Sequence, residues 1–288
     1  MAEGLGSFFR SDLREDLIAG FRRTPAVSPD GGLWLARCAL ASAFFAVILF
    51  LFYGYHAGFS RLNGLAAHAP DWLWQWLTVL GDERVAFALT LFFTRRYPRV
   101  FWTLIAAALV GIAVSHSLKP LFAALRPPAV LEPGTFNLIG PGHHKFSFPS
   151  GHTVTAAVFF GAWVYFVRSR WVRLLLVLLT VSAGFSRVAV GVHWPVDVAA
   201  GLAVGTMAAW SGVLLARRSE RWGTHWLVHL GLVALAAGMA LLLLFSDGGY
   251  SGAAWMQLFL GVTALGFSAY LYLIAPSLRW RGSWRIGG

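Results

Sequence analysis

Apolar runs of about twenty residues recur along this chain, divided by short arginine clusters, and that alternation leaves few folds open. Coiled as a helix, a run of that length matches the hydrocarbon thickness of a bilayer. The runs occupy residues 33–54, 100–118, 151–167, 172–190, 195–215, 226–245 and 253–274. Another lies near 74–94 but is interrupted by Gly81, Asp82, Glu83 and Arg84. It reads as a full span, or as a shorter one of 84–95 after an interfacial segment that would suit Trp72, Trp74 and Trp76. Counting it gives eight spans. Charged residues make up only 12% of the 288 positions and hydrophobic ones 58%, whereas soluble domains carry about 25% charged residues. Such a surface needs lipid as its solvent. The lone cysteine, Cys38, sits inside the first run, so a disulfide within the chain and a cysteine-rich zinc site are both excluded. The first run starts too far in, and is too long, for a cleavable signal peptide.

The net charge of +11 could point to nucleic acid, but its distribution does not. With the N-terminus in the cytoplasm, seventeen of the 23 basic residues fall on the inner side, in clusters such as Arg95, Arg96 and Arg99, or Arg279, Arg281 and Arg285. Only Arg61, Arg84, Lys119, Arg126, Lys145 and Arg187 fall outside. The positive-inside bias thus supports an even span count and two cytoplasmic termini together. Ahead of the first run, Phe9, Leu13, Leu17 and Phe21 recur at spacing four among charged residues until Pro25 and Pro29. Residues 1–32 therefore read as an amphipathic helix, either on the membrane surface or plainly solvated.

Three span ends deliver unusual residues to the outer face. One carries Lys119 and Arg126-Pro127, one opens with Pro149-Ser150-Gly151-His152, and one runs from Ser186-Arg187 to His193 and Asp197. Ionisable groups at membrane depth are costly and usually functional. Three fixed cations can clamp a phosphoryl group, with arginine's planar fork suited to its oxygens. Ser150-Gly151 opens a helix whose free N–H groups bind anions, and glycine allows close approach. Two histidines can divide the work of nucleophile and general acid. If His193 is near a helix N-cap, Asp197 lies one turn on, where its carboxylate can reach back to the imidazole. Singly, each residue has a plainer reading: Lys119 and Arg126 as snorkelling anchors, Asp197 as a cap, Ser150 as a helix start, either histidine as a satisfied interior group. Their joint occurrence at these spacings favours a site.

The Lys-x6-Arg-Pro, Pro-Ser-Gly-His and Ser-Arg-x5-His-x3-Asp patterns resemble, in order and without departure, the three signatures of the type 2 phosphatidic acid phosphatase superfamily. The motifs cover about residues 119–197, and the span pattern extends the likeness to about 33–215. The resemblance implies a six-helix phosphatase core, here over 33–217; the remaining runs add two further transmembrane helices and a cytoplasmic tail over 218–288, so the expected fold is an all-α, polytopic transmembrane bundle. The resemblance also implies two-step phosphoryl transfer without metal or cofactor. His193 would be the nucleophile, oriented by Asp197, and His152 the general acid. Lys119, Arg126, Ser150, Gly151 and Arg187 would bind the phosphate. The expected enzyme is a lipid phosphatase of a bacterial inner membrane, with its site on the periplasmic side, a lipid phosphate as substrate and the bilayer as surroundings. Undecaprenyl diphosphate, phosphatidylglycerophosphate, phosphatidic acid and lipid A phosphates all remain open, as does oligomeric state. A lipid phosphotransferase shares the same motifs. A vanadate-dependent haloperoxidase is usually soluble, and a transporter or flippase would need charge along a through-path.

Several residues stay with plain readings. Asp82, Glu83 and Arg84 border the site mouth or form an exposed turn, and His143, His144 and Lys145 form a solvated loop or greet a headgroup. His116 packs between helices or lines the cavity, and His225 and His229 sit at the inner interface. His56 and His68 have no assigned role, and the last two spans are read as packing or oligomer-contact helices without chemistry.

Overall fold

The computed structural model of the chain describes residues 2–286, and every element among them is helical. The side chains of Arg281 and Arg285, counted above on the inner side, lie outside the described ones. Helix α1 spans Ala2–Arg23 and α2 Gly31–Ile48, the latter continued by a π-helical turn to Tyr53. Two short helices follow, α3 (Phe59–Ala66) and α4 (Asp71–Val79), then α5 (Glu83–Thr90), α6 (Pro98–Phe122) and the single turn α7 (Pro127–Val130). After a long loop come α8 (Gly151–Phe166), α9 (Arg170–Ala189), α10 (Pro195–Arg218) and the turn α11 (Glu220–Gly223). The chain ends with α12 (Trp226–Leu242), α13 (Ala254–Ala269) and α14 (Ala275–Ile286), with a π-helical turn joining the last two.

Among the described residues, five stretches are long and apolar enough to cross a bilayer: Gly31–Tyr53, Pro98–Val130, Arg170–Ala189, Pro195–Arg218 and Ser251–Trp280. Helices α8 and α12, of 16 and 17 residues, fall just short. The run near 74–94 is no single span. Asp82 caps α5 by accepting the N–H of Arg84 at 2.8 Å, which starts a new helix there, and α5 stops after 8 residues. Each half, at 1.5 Å per residue, is too short to cross alone.

Helix α10 is the axis of the bundle, packed against α2, α6, α8 and α9. Close approach comes from small residues. A Cβ on Gly205 would sit 2.6 Å from the carbonyl of Val154 and from Ala157, so α8 touches the α10 backbone there because position 205 has no side chain. Helices α5, α12 and α13 form a second layer around Val85, Ala88, Leu91, Val233, Ala236 and Ala264.

Alternation of direction puts the start of α6, the end of α10 and the loop between α8 and α9 at one end of the bundle. Buried arginines are latched there: Arg95 to Asp12 and Asp16, Arg99 to Glu220, and Arg173 to Asp30. Helix α1 belongs to this end. Its stripe is covered by protein, with Leu17 at 0% and Phe21 at 4% exposure, which corrects the expectation of a membrane-surface or solvated helix. The carboxylates flanking that stripe reach Arg95 and Arg279, so ion pairs dock α1 where lipid was expected. His229 is likewise buried at 2% exposure, and its Nε2 lies 2.6 Å from the Tyr272 hydroxyl, a packed position and not an interfacial one.

Candidate active site

The opposite end holds a cavity of about 480 Å³, and all three motifs reach it. Lys119 comes from the last turn of α6 and Arg126 from just beyond it. Gly151 and His152 open α8, Arg187 ends α9, and His193 lies in the short link before α10. Each of these six residues lines the cavity. Ser150 and Asp197 stand behind them, both at 0% exposure.

Local geometry explains the arrangement. Pro195 sits in the first turn of α10, where its missing N–H costs nothing. Asp197 is then two residues into the helix, and its Oδ2 accepts the backbone N–H of Trp194 at 2.9 Å. The same oxygen lies 3.3 Å from His193 Nδ1. That contact engages Nδ1 and leaves Nε2 as the ring nitrogen free for the cavity. Burial, with Arg126 and Arg187 adding to it, holds the His193 imidazole well below the ordinary histidine range. The ring therefore rests neutral, with a lone pair available.

At the start of α8, the Ser150 N–H donates to the carbonyl of Asp197 at 3.1 Å, tying the two helix starts together. The Ser150 hydroxyl accepts from Thr153 Oγ1 at 2.9 Å. The first N–H groups of α8 have no partners within the helix. Lys119 Nζ stands 4.0 Å from where a Cβ on Gly151 would be, so the cation and the helix start face one small space. Arg126 is braced by Nε donating to the carbonyl of Lys145 at 2.9 Å.

Four residues of this region escaped the sequence reading. Tyr55 donates its hydroxyl to Asp197 Oδ1, and Ser147 donates to Oδ2 at 2.5 Å. Burial and the nearby carboxylate push the Tyr55 phenol up, so it remains a donor. Thr78 and Tyr250 both contact Arg187. His56, left without a role, stacks on Trp194 at 3.9 Å between centroids, beside the His193 link. His116, His143 and Glu83 line the cavity, whereas Asp82 and Arg84 pair with each other. Beyond its polar end the cavity continues between α5, α6 and α8 along Ile112, Ile105, Leu104, Val158 and Phe159. From Lys119 to Leu104 is about 22 Å of helix at 1.5 Å per residue.

The PAP2 superfamily model matches residues 100–221, which hold every motif residue. An undecaprenyl-diphosphatase of Sulfolobus acidocaldarius is 31% identical over 172 residues, 59% of this chain and 77% of that protein. The chain belongs to the PAP2 superfamily. A lipid A 1-phosphatase of Rhizobium johnstonii is 36% identical over 127 residues, which are 43% of this chain and 48% of that protein. The crystal structure of Aquifex aeolicus LpxE has 28% identity and a TM-score of 0.49, over 54% of this chain and 93% of that one. The resemblance read from the three motifs is thereby borne out, and with it the enzyme class: a phosphatase on a multi-pass membrane scaffold. Helices α12 to α14 lie outside the matched residues.

Proposed function

We propose that this PAP2 member is a lipid phosphatase that removes phosphate from a lipid phosphate or diphosphate through a phosphohistidine on His193. The observation that carries the reading is the shape of the cavity, whose cationic end continues into an apolar groove running down into the bundle. A headgroup phosphate and the start of its hydrocarbon chain fit that sequence of surfaces, and a soluble phosphomonoester uses only half of it.

In this mechanism Lys119, Arg126, Arg187 and the start of α8 hold the phosphoryl oxygens and balance charge as it develops. His193 Nε2 attacks phosphorus in line while the bond to the leaving oxygen breaks, and His152 gives that oxygen a proton. Asp197 holds the Nδ1 proton and supports the cationic ring of the intermediate. His152 then takes a proton from water, whose oxygen attacks phosphorus and releases His193 and phosphate. The donor set is rich in cations, and its one buried carboxylate is already bonded to Tyr55, Ser147 and Trp194. Turnover is therefore read as independent of a divalent ion. Arginines at the far end support an orientation with that end in the cytoplasm and the cavity on the periplasmic side of an inner membrane.

Phosphate release from a panel of lipids in detergent with excess chelator tests this. A polyprenyl diphosphate is expected to surpass p-nitrophenyl phosphate in kcat/KM, with chelator having no effect. A preference for the soluble ester, or activity lost to chelator and restored by magnesium, would overturn the reading.

A further inference from the structure

Four arginines are buried among the described residues: Arg95, Arg99, Arg173 and Arg187. The first three are each bonded to a carboxylate, as buried arginines ordinarily must be. Arg187 is different. It is 2% exposed, and its partners are two neutral hydroxyls: Nη1 donates to Thr78 Oγ1 at 2.6 Å and to Tyr250 Oη at 2.8 Å. The Tyr250 ring also lies under the guanidinium, 5.7 Å from its carbon to the ring centroid. Nε is buried and has no hydrogen-bond partner among the described residues. One corner of the fork is thus fixed, Nε is sealed in without a partner, and the residue still lines the cavity.

Neither anchor comes from the motif-bearing helices. Thr78 is in the last turn of α4, and Tyr250 is in the loop between α12 and α13, beyond the residues matched to the superfamily. That loop is fastened on several sides. Arg84 Nη1 donates to the carbonyl of Ser246 at 3.0 Å, and Trp76 Nε1 donates to the carbonyl of Gly252 at 2.9 Å. Gln75 Oε1 accepts the Gly252 N–H at 2.7 Å, and Gln257 Nε2 donates to the carbonyl of Asp247 at 3.0 Å. Gly140 permits the Tyr250 ring its place, since a Cβ there would be 2.8 Å from Tyr250 Cε1.

We propose that Thr78 and Tyr250 are positioning residues for Arg187, and that the α12–α13 loop is through them part of the active site. Neutral hydroxyls fix the guanidinium without spending its charge. A carboxylate in their place would compete with the phosphoryl group for the same cation. The part of the guanidinium that lines the cavity then keeps its full charge and a fixed direction for phosphoryl oxygens. This rests on the reading of Arg187 as a phosphate ligand, and the test separates the two.

The probe is vanadate, with inhibition constants measured in detergent for the full-length protein alongside thermal melts. Tyr250→Phe and Thr78→Val each keep the shape and remove one hydroxyl. Each is expected to weaken vanadate about tenfold, the range for one hydrogen bond to a charged group, with the melting temperature unchanged. In an Arg187→Gln background neither should weaken it further. If Arg187→Gln weakens vanadate but the two hydroxyl variants do not, the positioning role is wrong and the phosphate ligand stands. If the hydroxyl variants cost as much without Arg187 as with it, their role is merely structural and the proposal fails. If Arg187→Gln leaves vanadate unaffected, Arg187 is no phosphate ligand and the proposal falls with that reading.

Discussion

Asp197 is held by hydroxyls of Tyr55 and Ser147 and by the Trp194 N–H, all in addition to its contact with His193. Its orientation is thus set from three segments of the chain. Asp197→Asn keeps the shape, but an amide cannot favour the Nδ1–H tautomer or support a cationic ring. The loss in kcat is expected to be about 10⁴, by analogy with the aspartate of the serine-protease triad, with the melt little changed. A loss below tenfold would show that Asp197 is a helix cap and nothing more. His193 and Asp197 could be read from the sequence because they are four apart and flank a proline that starts a helix. Tyr55, Ser147, Thr78 and Tyr250 could not. They lie 142, 50, 109 and 63 residues from their partners, and a lone hydroxyl in an apolar chain carries no local signal of what it will meet.

At the scale of helices, hydrophobic run length found most of the spans, because a bilayer imposes one length on every helix that crosses it. It failed where a polar turn divides a run. Gly81 to Arg84 announced the break, but nothing local showed that α5 would end at Thr90 or that α4 would supply a hydroxyl to Arg187. Periodicity was equally blind in α1. A stripe at spacing four is the same whether protein or lipid covers it, and the ion pairs of Asp12 and Asp16 with Arg95 decide for protein. Helix direction gives a testable orientation. A reporter fused in the 127–148 loop should be active only outside the cytoplasm, and one fused after Arg218 only inside. The reverse pattern would place the cavity on the cytoplasmic side.

Taken as a whole, the molecule separates two kinds of arginine. The buried ones at one end, Arg95, Arg99 and Arg173, are paired with acids and latch helices together, while Arg126 and Arg187 line the cavity and bond to no carboxylate among the described residues. The loop between helices α12 and α13, which were read from sequence as packing elements, reaches Arg187 through Tyr250. The central claim of the proposed function is one chemical step, the attack of His193 on phosphorus, and rapid quenching with phosphorus-labelled lipid observes that step directly. Under burst conditions label should stay on the wild-type protein after an alkaline quench and be lost in acid, as befits phosphohistidine. His193→Gln should carry none, whereas His152→Ala should still be labelled by a lipid whose leaving group needs little protonation. Label on His193→Gln but not on His152→Ala would exchange the two roles. No label on any of the three would contradict the covalent mechanism and leave His193 as a base for direct attack by water.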